Sequence, residues 1–105
     1  MRVVIKKPNQ GAIIADIDNT LESLQKQVGG YIEVHYLDAL GVSIACNEDA
    51  IALDLKSSMF SRQYGVVRGS VVFFKFNMQG NFSELSAMEA RTIVRTLSEG
   101  RIPTC

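Results

Sequence analysis

Tryptophan is absent, histidine occurs once, and cysteine and proline occur twice each. The lone histidine is His35, and the two thiols, Cys46 and Cys105, form no C-x-x-C pair. Cysteine and histidine alone therefore do not furnish the ligands of a zinc site of the usual kind, and no metal is expected. Cys46 reads as a small buried hydrophobe and Cys105 as a free thiol, and a reducing cytosol fits both. An excess of either charge is also missing, since 11 Lys and Arg balance 11 Asp and Glu. A backbone-reading DNA or RNA binder would carry a basic excess and a DNA mimic an acidic one, so neither is expected. No stretch approaches the roughly 18–20 apolar residues of a membrane span. The opening MRVVIKKPNQ lacks the roughly 7–15-residue apolar core of a signal peptide, so no membrane partner is expected. G-x-S-x-G, H-E-x-x-H, Walker and kinase signatures are all missing, so the chain is not expected to be an enzyme, with no catalytic residue and no cofactor.

What is present is enough apolar material for one core. Apolar residues make up 47% of 105 and charged residues 21%, which describes a single globular domain spanning residues 1–105. Val3 to Ile5 and Ala12 to Ile17 read as an opening hairpin around Asn9-Gln10-Gly11. Asp18 and Asn19 are N-cap candidates, with Glu22 completing a box to Asn19. Leu21, Leu24 and Val28 share a helical face, and Gly29 stops the helix at about Thr20 to Val28. Tyr31 to Leu37 then alternates, with Ile32, Val34 and Tyr36 on one side and Glu33 and His35 on the other. Asp38 to Gly41 turns the chain into a partner strand, Val42 to Cys46. Ile51 to Leu55 alternates again and reads as a further strand, whereas Lys56 to Gly69 reads as a long loop. Val71 to Phe76 is apolar on both faces, which fits a central strand, one covered on both sides, or an oligomer interface. Ser86 and Glu89 form a full capping box for a last amphipathic helix, ended by Gly100 and kept from resuming by Pro103. The order β-β-α-β-β-β-loop-β-α predicts an α+β fold, with a mostly antiparallel sheet of about five to six strands and two helices packed on it.

Several residues stand out as ligand-binding candidates. Gln25 is the polar member of an apolar helix motif, and Tyr31 nearby offers a ring for stacking. Asn47 and Glu48 close an alternating strand, either as a turn or as a polar pair at a sheet edge. Arg62, Arg68 and Lys75, with Tyr64 and Phe73 nearby in sequence, bring basic and aromatic groups together around the irregular segment and the strand after it, either as an ordinary solvated loop or as a pocket suited to an anionic aromatic ligand. Glu33 and His35 share a strand face that is either solvated or one half of a metal site, with Glu48 or Asp54 as the missing ligand. Gly29-Gly30 follow a helix, so they meet its carbonyl end, the wrong polarity for phosphate.

The run N-T-L-E-S-L-Q-K-Q-V-G-G-Y-I-E at Asn19 to Glu33, Cys46-Asn47-Glu48, Gly69 to Val72 and Leu85-Ser86 together resemble a small family of bacteriophage and mobile-element proteins known by a domain-of-unknown-function label. The chain departs from that pattern at Lys56 to Tyr64, where a Leu-Pro-x-Asn-like stretch is expected. The resemblance implies a phage or mobile-element origin and a host-cytoplasmic setting. In that setting, the expected function is a non-enzymatic counter-defence protein that sequesters a small anionic ligand, a nucleotide immune signal, as a homo-oligomer. The alternatives are a module that inhibits or redirects a host protein through its Phe73 strand face, and a metal-dependent hydrolase using Glu33 and His35.

Overall fold

Two hairpins and one strand drawn in from later in the chain build the main sheet. The computed structural model describes residues 1–99 and the strand at 101–102; the expected helix stop at Gly100, Pro103 and the Cys105 thiol lie outside the described residues. The strands are β1 Arg2–Lys6, β2 Ile13–Asp16, β3 Ile32–Leu37, β4 Val42–Asn47, β5 Ser57–Ser61, β6 Gly65–Arg68, β7 Val71–Phe76, β8 Phe82–Ser83 and β9 Arg101–Ile102; the helices are α1 Leu21–Val28 and α2 Ala87–Ser98. The fold is α+β, as the pattern of elements predicts. Its six-stranded antiparallel sheet runs β2-β1-β7-β4-β3, with β8 added to β7, and β6-β5-β9 form a second, smaller sheet.

The doubly apolar Val71–Phe76 is central, bonded to β1 on one side and β4 on the other. Its alternation feeds two cores. Val71 and Phe73 join Val4, Ile44 and Leu37 against Ala90, Ile93 and Leu97 of α2 and Met59 and Val67 of the β5–β6 hairpin. Val72 and Phe74 join Val3, Ile5 and Ala45 against Leu24 and Val28 of α1. The helices therefore cover opposite faces. Phe73 is wholly buried, so the partner-binding face and the self-association surface expected around it are already occupied by the chain's own α2 and hairpin.

Four local expectations change. Thr20, one residue later than expected, caps α1 by accepting from the Ser23 N–H, while Asn19 Nδ2 donates to the Phe82 carbonyl instead. The apolar row Ile32, Val34 and Tyr36 of β3 is covered at one end alone: Ile32 packs against the α1-side core, whereas Val34 and Tyr36 are exposed. Ile51 to Leu55 is a turn segment rather than a strand, held by Leu53 N–H to Asp49 O, Asp54 N–H to Ile51 O and Leu55 N–H to Ala50 O. Most of the expected loop at 56–69 is the β5–β6 hairpin, paired from Ser57 with Arg68 to Ser61 with Gly65.

Candidate functional site

The β5–β6 hairpin leans over the outer end of the main sheet, and the space beneath it is a cleft of about 290 Å³. Its floor is the β3–β4 pair, which presents Glu33, His35 and Cys46. Asn47, Glu48, Ala50 and Ile51 form one wall, and Tyr64, Val66, Val67 and Arg68 form the other. The hairpin tip is fastened to β3. Tyr64 Oη donates to the Tyr36 carbonyl at 2.6 Å, and Gln63 Oε1 accepts from the Asp38 N–H at 3.1 Å. These bonds set the Tyr64 ring against the His35 imidazole, with centroids 4.7 Å apart and planes tilted by 43°. Arg68 Nη1 donates to the Leu55 carbonyl at 3.1 Å, which orients its guanidinium; its other donors have no partner among the described residues.

Antiparallel register determines what meets on the floor. Glu33 pairs directly with Cys46, and His35 lies two residues further along the same face. His35 Nε2 and Glu33 Oε2 are 3.0 Å apart, with the His35 side chain 31% and the Glu33 side chain 53% exposed. The Cys46 thiol donates to the Glu33 carbonyl at 3.6 Å. Burial, and secondarily the Glu33 charge, push the Cys46 thiol up to about 11, so it stays protonated at neutral pH. The donor atoms of Glu33, His35 and Cys46 all lie within 4.8 Å of one another. The metal pair read from the sequence thus meets Cys46, rather than Glu48 or Asp54, as its third donor.

Of the expected ligand residues, Asn47, Glu48, Tyr64 and Arg68 line this cleft together. Gln25, Tyr31 and Arg62 are not among its lining residues. Gln25 sits on α1, over the other face of the sheet, and its carbonyl accepts from both Gly29 and Gly30. Tyr31 is exposed just before β3, and Arg62 is exposed at the hairpin tip. Asn47 touches the cleft, but its amide is already engaged: Nδ2 donates to Val28 O at 3.2 Å and Oδ1 accepts from Asp49 N–H at 2.8 Å. It ties the end of α1 to the turn after β4. Cys46, read from the sequence only as a buried hydrophobe within the Cys46-Asn47-Glu48 motif, and Ile51, read as part of a strand, are cleft residues not counted among the ligand candidates.

The architecture is thus a helix-flanked antiparallel sheet with a small mixed-polarity cleft at one end. The chain belongs to a defined family: the profile of a domain of unknown function, DUF3846, matches residues 1–98. Among curated proteins and among solved structures, nothing matches the chain.

Proposed function

We propose that the chain is a non-enzymatic binding protein that holds a small anionic ligand bearing a planar group in the cleft under the β5–β6 hairpin. The observation that carries this reading is the convergence of Arg68 with the Tyr64–His35 ring pair on one cleft. A guanidinium engages phosphate or carboxylate oxygens in pairs, and the rings accept a flat heterocycle. Glu48 on the opposite wall supplies an acceptor for the exocyclic amine of a base. The volume lies at the lower end of the roughly 300–1,000 Å³ of ligand pockets, which favours one nucleoside-sized group per chain. A cyclic dinucleotide would then engage two chains, through a contact other than the buried Phe73 face. In its specific form, the reading is sequestration of a nucleotide immune signal in the cytoplasm of a phage's host, the setting the family resemblance implies.

A thermal-shift panel of cyclic di- and trinucleotides and cyclic ADP-ribose isomers tests it. One class should raise the melting temperature by several degrees, equivalent to roughly 1 kcal/mol or more of linkage, and boiling should release that ligand unchanged. Arg68→Ala should remove the shift while leaving a cooperative melt. A flat panel on folded protein, or a shift that Arg68→Ala leaves intact, overturns the assignment.

A further inference from the structure

Glu33 and Cys46 are a direct cross-strand pair, and His35 flanks them on the same face. The three donor atoms lie within 4.8 Å of one another, at the floor of an open cleft. We propose that Glu33, His35 and Cys46 form a three-ligand site for a zinc-like divalent cation, with a fourth coordination position open to the cleft. This goes beyond the ligand reading and holds whatever organic molecule the cleft takes.

The donor chemistry selects the ion. Mg²⁺ and Ca²⁺ take oxygen shells, whereas a mixed oxygen–nitrogen–sulfur set suits Zn²⁺. Bonds of about 2.0–2.3 Å in tetrahedral geometry put donors roughly 3.3–3.7 Å apart. His35 Nε2 and Glu33 Oε2, at 3.0 Å, already face one another, and binding an ion requires these partly exposed side chains to part slightly from each other and to close on Cys46 from the present spread of up to 4.8 Å. Cys46 supplies the fixed, buried corner. On coordination the thiol gives its proton to solvent, and the resulting thiolate and the Glu33 carboxylate together balance the two charges of the cation, with His35 as the neutral ligand. The open position gives an anionic ligand a second cationic contact, across the floor from Arg68.

Co²⁺ titration of the full-length, chelator-stripped protein tests the site. One equivalent should produce a thiolate-to-cobalt charge-transfer band with the visible bands of a tetrahedral ion. Zn²⁺ should displace the cobalt and raise the melting temperature. Cys105→Ser should keep the signal, and Cys46→Ser should lose the charge-transfer band. His35→Gln and Glu33→Gln, at partly exposed positions that a fold tolerates, should keep the metal-free melting temperature. Each should weaken binding by at least the roughly 10–100-fold that loss of an outer-shell partner costs. No band in the wild type, a band that survives Cys46→Ser, or affinities unchanged in the His35 and Glu33 variants overturns the proposal.

Discussion

Asn47 fastens the end of α1 to the sheet, and its neighbour Gly30 is there to let it. A Cβ on Gly30 would come within 2.9 Å of Asn47 Nδ2, so a side chain there must displace the amide that bonds the Val28 carbonyl. Asn47→Ala strips partners from the Val28 carbonyl and the Asp49 N–H. The expected loss is about 1–3 kcal/mol in urea denaturation, the desolvation penalty of the orphaned Val28 carbonyl, whose bond to Asn47 is buried, whereas Asp49 is exposed. Gly30→Ala should also destabilise, and by less in the Asn47→Ala background than in the wild type, because the atom it strikes is gone. Strict additivity in that double-mutant cycle would disprove the contact. Reading the sequence placed Asn47 at the end of a strand but could not tell a structural amide from a ligand-facing one, because the Val28 carbonyl it serves belongs to a different element. Cys46 is the opposite case. Folding the predicted hairpin about Asp38–Gly41 already sets position 33 across from 46, so its meeting with Glu33 was legible from register alone.

At the scale of elements, α2 was the most readable, because its start is local chemistry. Ser86 Oγ accepts from the Glu89 N–H at 3.0 Å, and Glu89 Oε1 accepts from the Ser86 N–H at 2.8 Å. Ser86→Ala should cost about 1 kcal/mol. The Ser86 N–H, with help from Lys75 Nζ on β7, holds the Glu89 carboxyl below its ordinary 4.5. A carboxylate depressed on folding stabilises the protein above its unfolded-state value, and that contribution fades as pH falls through the folded-state value. The stability gap between wild type and Glu89→Gln should therefore be full at neutral pH and close in acid; a gap constant across the acid limb would refute the ionised capping box. The β5–β6 hairpin was unreadable for the converse reason. Ser58 and Ser61 are buried polar residues, satisfied among the described residues by the Val67 carbonyl and by the Gln63 and Tyr64 N–H groups, so hydropathy did not alternate along the strand. The one local clue was Gly65, whose φ of 78° closes the turn. Ile51 to Leu55 misled in the other direction: its alternation is real, but Ile51 and Leu53 are 85% and 58% exposed, so period two there reports no buried face.

Across the whole molecule, β7 joins two halves that are otherwise separate. The β1–β2 and β3–β4 hairpins form from neighbouring sequence, but they share a sheet only once Val71–Phe76 is inserted between them. The same strand supplies the largest side chains of both cores, with Phe73 towards α2 and Phe74 towards α1, each wholly buried. Sequence reading recognised a strand apolar on both faces but not which of its candidate covers was real, since the roof over Phe73 includes the hairpin it had taken for a loop. Phe73→Ala should cost about 3–5 kcal/mol, a large part of the roughly 5–15 kcal/mol that holds a domain together. The variant should still melt in a single transition, with near-ultraviolet and far-ultraviolet circular dichroism coincident, because neither hairpin keeps a covered face once β7 leaves. Two resolved transitions would mean that one half of the sheet is stable alone. A loss below 1 kcal/mol would mean that the cover over Phe73 is not a packed core, and it would return that face to the list of surfaces open to a partner.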